Sequence, residues 1–221
     1  MEQRPYRSNT EKKKWGITRK SGRTLLMMLA VNLLVYYPSQ IFGTVGTPRD
    51  ISIGIDSAFT FDARWVFIYG LAFIFWVVSY AALSNFDGWS SIAAAEMIAK
   101  LCCIFFFIFL PTTVARPQVS PGTLSETALS ILYAVDKPLN LFPSIHCFDS
   151  WICGRCLMTE KKMPAAVRIL APLFSLLVFI SVLKTRQHVF IDIIGGVLLA
   201  ELGLFLSRRY NWGKIIDKWI R

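Results

Sequence analysis

The chain contains two histidines, and both have neighbours suited to phosphoryl chemistry. His188 precedes Asp192 by four residues, and His146 follows Ser144 by two. Four residues are close to one helical turn, so Asp192 can orient the His188 ring, as a histidine nucleophile requires. His146 can then protonate the departing alkoxide as a general acid. These types and spacings predict three catalytic residues, namely His188, Asp192 and His146.

Positive charge near the histidines predicts a phosphate-binding site. A guanidinium group can bind two oxygens of one phosphate at once. Arg116 and Arg186 can bind phosphate in this way, and Lys184 is a further cation. Ser144 follows a proline at a predicted helix start, where its hydroxyl and the free amides can face an anion. Positioning and charge stabilisation supply most of such catalysis. The interpretation needs no metal and no other cofactor.

Other charged residues allow more than one interpretation. Asp149 shares a helical face with His146, and either tunes it or forms hydrogen bonds inside a helix bundle. Lys137 either borders the substrate or lies in solvent. Glu96 and Lys100 have the spacing of an intramembrane ion pair, for which packing is favoured over catalysis. A structural capping role for the two histidines is the alternative to catalysis.

The elements that must position these residues are transmembrane helices. Hydrophobic residues make up 54% of the 221 positions and charged ones 17%, which is too apolar for a typical soluble domain. The fold class predicted is all-α, a polytopic membrane protein with six spans. The predicted spans are 24–47, 65–83, 92–110, 144–158, 165–183 and 189–206. The net charge of +10 lies mostly in tails and short loops, which indicates membrane topology and no nucleic-acid partner.

The distribution of lysine and arginine predicts that both termini are cytoplasmic, because cytoplasmic segments carry the excess of these residues. Arg116 then follows the third span, His146 opens the fourth, and His188 lies between the fifth and the sixth. All three must emerge on the same, extracytoplasmic face. The predicted location is the plasma membrane, with several spans and an outward-facing site.

Three regions follow from this topology. They are a basic cytoplasmic tail (1–23), a transmembrane catalytic domain (24–209) and a second cytoplasmic tail (210–221). Within the domain, 111–143 is predicted to be an extracytoplasmic loop with a short helix that Ser125 caps. Residues 55–65 mix aromatic and charged types, which predicts an interfacial or re-entrant segment.

Three motifs resemble the signature motifs of the type 2 phosphatidic acid phosphatase superfamily. They are Arg116-Pro117, Phe142-Pro-Ser-Ile-His146, and Ser181 with His188 and Asp192. The resemblance implies a six-helix fold in which His188 is the phosphohistidine nucleophile, Asp192 its partner and His146 the acid. It also shows two departures, since Phe109 and Val182 stand where the family has cations.

The predicted function is a membrane-embedded lipid phosphatase that acts on a lipid phosphate or diphosphate through a phosphohistidine. The Pro-Ser-Ile-His and Thr-Arg-Gln-His sequences resemble the branch with inositol phosphorylceramide synthases and related lipid phosphotransferases. Transfer to an alcohol acceptor is therefore the first alternative, and an anion transporter is the second. The partners expected are a lipid phosphate and membrane lipids. The sequence leaves the oligomeric state open.

Overall fold

Helices form nearly all of the regular structure. The computed structural model describes residues 16–42 and 45–219, so residues 1–15 of the basic tail and the last two residues of the chain lie outside the described part. The described helices are α1 (Arg19–Phe42), α2 (Val66–Leu83), α3 (Trp89–Phe109), α4 (Leu124–Val135), α5 (Ile145–Thr159), α6 (Ala165–Lys184), α7 (Phe190–Arg209) and α8 (Gly213–Trp219). The predicted helical fold class is confirmed.

Four helical segments in the described part are long and apolar enough to cross a membrane. They are 63–83, α3, α6 and α7. Large apolar side chains on these helices, such as Val77, Ile74 and Leu173, are exposed, as lipid-facing residues must be. The other two predicted spans correspond to α1 and α5. Because α5 has 15 residues and ~1.5 Å of rise per residue, it is shorter than a core of ~30 Å. Six spans with cytoplasmic termini therefore stay a prediction.

Helix α5 packs closely against both α6 and α7, and glycine makes this possible. A Cβ at Gly196 in α7 would lie 2.5 Å from the carbonyl oxygen of Ser144, at the start of α5. A Cβ at Gly154 in α5 would lie 2.4 Å from Oγ of Ser175 in α6. Any larger residue must push the helices apart. The two segments that carry the histidines are thus held in direct backbone contact.

The connection between α3 and α5 contains more structure than the sequence predicted. Strand β1 (Arg49–Asp50) pairs in parallel with β2 (Thr112–Thr113), and Thr112 Oγ1 accepts a hydrogen bond of 2.9 Å from Phe142 N. These contacts tie the segment after α1 to the residues before His146. The connection between α3 and α5 is therefore held by hydrogen bonds next to the start of α5.

The N-cap of α4 differs from the prediction. Thr123, rather than Ser125, caps the helix, with Thr123 Oγ1 accepting from Glu126 N at 3.3 Å. The Glu126 carboxylate accepts in return from Thr123 N at 2.7 Å. This reciprocal pair of hydrogen bonds is a capping box. The N-cap is therefore two residues earlier in the chain than the predicted Ser125.

The interfacial segment between α1 and α2 is compact. It forms two short 3-10 helices, Gly54–Ala58 and Ala63–Trp65. Asp56 is 5% exposed, and its carboxylate accepts from Ile53 N at 2.8 Å and from Phe190 N, the first residue of α7, at 2.7 Å. Asp56 therefore caps the start of α7, next to His188.

Candidate active site

The fold brings the two histidines together. His146 lies in the first turn of α5, and His188 lies two residues before α7. Their ring centroids are 5.6 Å apart. A phosphorus atom that bonds to one ring can therefore have its leaving oxygen beside the other.

Asp192 holds the His188 ring by one nitrogen. Nδ1 of His188 lies 3.2 Å from Oδ2 of Asp192, and the same oxygen accepts from Val189 N at 2.9 Å. The sequence predicted one shared helix, but His188 precedes α7 and reaches Asp192 through the capping turn at Val189. Asp192 is fully buried. Since Nδ1 is engaged, Nε2 is the nitrogen available for attack.

Tyr69 in α2 is a contact that the sequence did not reveal. Its hydroxyl lies 2.6 Å from Nε2 of His146, and the two ring centroids are 4.7 Å apart. Phe73 and Trp76 of the same helix also contact the His146 ring. The available signal was a tyrosine hydroxyl inside an apolar span, where it must find a partner. Helix α2 therefore fixes the orientation of His146.

Arg116 reaches the site from the loop. Its Nη2 donates to Gln187 Oε1, its Nη1 to the carbonyl oxygen of Asp136, and its Nε to that of Arg186 at 3.3 Å. The guanidinium also lies over the Tyr133 ring, 4.6 Å from the centroid. Burial lowers the pKa of Arg116 from its usual value, and the charge of Asp136 opposes this. The guanidinium is therefore held rigidly beside the histidines.

The other predicted phosphate ligands are placed differently. Arg186, whose φ is 51°, directs Nη1 toward the carbonyl oxygen of Asp56 at 3.4 Å. Lys184 Nζ lies 3.4 Å from the carbonyl oxygen of Thr60. Ser144 is the N-cap of α5, with its Oγ accepting from Cys147 N at 3.2 Å. The structure does not place these three side chains in the cleft that the histidines line.

That cleft is narrow and lies between the helix ends and the loop. Its predicted members are His146, His188, Arg116 and the secondary candidate Lys137. The members that the sequence did not predict are Tyr36, Asp136, Asn140, Leu141, Ile145 and Gln187. The cleft is therefore polar on the side that faces the loop.

Asp149 lies in a buried network within the helix bundle. Lys100 Nζ is 2.5 Å from Glu96 Oε1, 2.8 Å from Asp149 Oδ2 and 3.1 Å from Asn32 Oδ1. Tyr80 Oη donates to Asp149 Oδ1 at 2.8 Å. The predicted Glu96–Lys100 contact is present, and Asp149 is its third member. Of the two interpretations of Asp149, this geometry favours the hydrogen-bonding role.

Residues 56–206 match the family model described as the PAP2 superfamily. The match covers about two thirds of the chain and includes Arg116, both histidines and Asp192. Comparisons with curated proteins and with solved structures gave no significant match. The chain therefore belongs to the PAP2 superfamily, whose members are phosphatases and phosphotransferases.

Proposed function

We propose that the protein is a lipid phosphatase that acts through a phosphohistidine on a lipid phosphate or diphosphate. The observation that carries this proposal is the proximity of His146 and His188, whose ring centroids lie 5.6 Å apart, together with the hydrogen bond between Nδ1 of His188 and Asp192. Family membership supports phosphoryl chemistry, and the exposed apolar helices support a lipid substrate. The inositol phosphorylceramide synthase-like branch remains part of the proposal.

The proposed reaction has two steps. Nε2 of His188 attacks phosphorus, the phosphorus–oxygen bond to the lipid breaks, and protonated His146 gives its proton to the leaving alkoxide. His146 then takes a proton from water as that water attacks the phosphohistidine, which frees inorganic phosphate and His188. Arg116 offsets negative charge on the phosphate oxygens. No step requires a metal ion.

The proposed topology places the site on the extracytoplasmic face of the plasma membrane. Lys20 Nζ lies 2.6 Å from Asp217 Oδ1, so the start of α1 and helix α8 share one end of the bundle. Arg19, Lys20 and Arg23 lie in the first turns of α1, whereas Tyr36, near its other end, lines the cleft. The positive-inside rule makes the basic end cytoplasmic. This distribution supports an outward-facing site in six spans.

A phosphotransferase is the second candidate. Tyr36, Asp136 and Asn140 line the same cleft as the histidines, and this polar lining favours an acceptor that carries a hydroxyl. Such an acceptor would replace water in the second step. The transporter alternative has less support, because the intramembrane cation Lys100 is neutralised by Glu96 and Asp149.

The deciding experiment incubates the purified protein with a panel of lipid phosphates and diphosphates, each with and without polyol or lipid alcohol acceptors. We expect release of inorganic phosphate in EDTA, and inhibition by orthovanadate, which mimics pentacoordinate phosphorus. Transferred product in place of phosphate would establish the second candidate. Neither product from any substrate, together with anion flux in proteoliposomes, would overturn both.

Tyr69→Phe is expected to slow release from alkyl phosphates about fivefold, the effect of one lost hydrogen bond of ~1 kcal/mol. Aryl phosphates should be nearly unaffected, because their leaving oxygen needs little protonation. Rates on matched alkyl and aryl substrates measure this, with Tyr37→Phe as control, since Tyr37 is exposed on α1. Equal losses on both substrates would contradict a role through His146.

A further inference from the structure

The side-chain amide of Gln187 is buried, and only its oxygen has a hydrogen-bond partner within the described residues. Gln187 is 2% exposed and lines the cleft together with His146 and His188. Its Oε1 accepts a hydrogen bond from Arg116 Nη2. Its Nε2, by contrast, has no hydrogen-bond partner within the described residues. Buried polar groups are rarely left this way, so the donor calls for an explanation.

The orientation of the amide is not ambiguous. A guanidinium has donors and no acceptor, so the atom of Gln187 that faces Arg116 must be the oxygen. The backbone is fixed as well, since Gln187 N donates to Val182 O at 2.9 Å and His188 N to the same oxygen at 3.1 Å. Rotating the amide cannot satisfy both groups. The NH₂ group is therefore held as a free donor.

The cleft is short of cations for a phosphate. Val182 is fully buried and Phe109 is 55% exposed. Both side chains are apolar, so neither position supplies the positive charge that the family resemblance leads one to expect. Arg186 and Lys184 point to carbonyl oxygens of the interfacial segment. The half-buried Arg116 and the exposed Lys137 are the cations that line the cleft. A neutral N–H donor beside Arg116 has the chemistry that a phosphate oxygen needs.

We propose that Gln187 Nε2 donates a hydrogen bond to a phosphate oxygen of the substrate, between Arg116 and His188. The residue is then a phosphate ligand as well as a brace for Arg116. This inference rests on the proposed function, since it takes the cleft as the phosphate site. It adds a side-chain amide to a shell that the sequence predicted to consist of cations, the Ser144 hydroxyl and free backbone amides.

The test uses Gln187→Met and Gln187→Glu in the full chain. Methionine removes both the donor and the acceptor for Arg116, whereas glutamate keeps the acceptor and replaces the donor. We expect both variants to bind inorganic phosphate and orthovanadate about 10- to 100-fold more weakly, as for a lost hydrogen bond to a charged group. Direct binding to the purified protein is measured, and KM and kcat follow on any substrate that the panel identifies.

Asn140→Asp is the matched control for charge, because Asn140 lines the same cleft. We expect it to weaken anion binding less than Gln187→Glu does. Equal losses in these two would mean repulsion through space and would overturn the inference. A loss in Gln187→Met alone would assign Gln187 only to bracing Arg116, and would also overturn it.

The failure of this inference is distinguishable from failure of the proposed function. Wild-type protein that binds the anions and turns over lipid phosphates, with Gln187 variants that do the same, overturns the inference alone. Anion binding that depends on Gln187 without any turnover supports the ligand role and removes the proposed activity. Wild-type protein that binds neither anion overturns both.

Discussion

His188→Ala is expected to reduce phosphate release by on the order of 10³-fold or more, to the background rate. Alanine leaves no atom to form the phosphorus–nitrogen bond, and His146, the other histidine of the chain, serves the proposed reaction in proton transfer. Its neighbour Asp192 is buried and already accepts from Val189 N, so the local fold should survive. Initial rates of phosphate release on the best lipid substrate measure the effect.

His146→Ala is the matched control for this prediction. It should abolish turnover of alkyl phosphates but retain a measurable rate on aryl phosphates, and a phosphorylated enzyme should accumulate. That adduct should be stable in base and labile in acid, as a phosphohistidine is, and absent from His188→Ala. A phosphorylated enzyme of unchanged yield in His188→Ala would place the nucleophile elsewhere.

The local part of the site was predictable because it depends on short spacings. His188 and Asp192 are separated by four residues, which places them within one turn whether that turn is helical or a helix cap. The parity of the spans also predicted that Arg116 and both histidines lie at the same end. Only the register within the capping turn, where His188 precedes α7, differed.

The remaining part depends on contacts between distant segments. Tyr69 lies 77 positions before its partner His146, and although its hydroxyl inside an apolar span indicates a polar contact, the sequence does not tell which residue it meets. The directions of Arg186 and Lys184 were equally hidden, because charge alone does not tell which neighbour a long side chain meets. The neighbours are the carbonyl oxygens of Asp56 for Arg186 and of Thr60 for Lys184, in a segment that packs on the start of α7 through Asp56.

Lys100→Met is expected to destabilise the fold by about 3–5 kcal/mol, as does removal of one partner from a buried ion pair. Lys100 and Glu96 are 2% and 1% exposed, and Asp149 is 2% exposed, so no solvent can replace the ammonium. Without it, two carboxylates face each other inside the bundle. Four of the five cysteines are buried, so labelling by a thiol-reactive fluorophore during heating in detergent reports the unfolding.

A triple variant separates charge from packing. Glu96→Gln and Asp149→Asn, added to Lys100→Met, remove the two carboxylates that the single change leaves unpaired. Replacing a buried ion network by neutral groups is often close to neutral for stability, so most of the lost stability should return. The Tyr80 hydroxyl, which donates to the Asp149 carboxylate in the wild type, can donate to the amide oxygen that Asp149→Asn introduces. If the triple variant unfolds as early as Lys100→Met, packing of the lysine stem rather than charge holds α3 against α5.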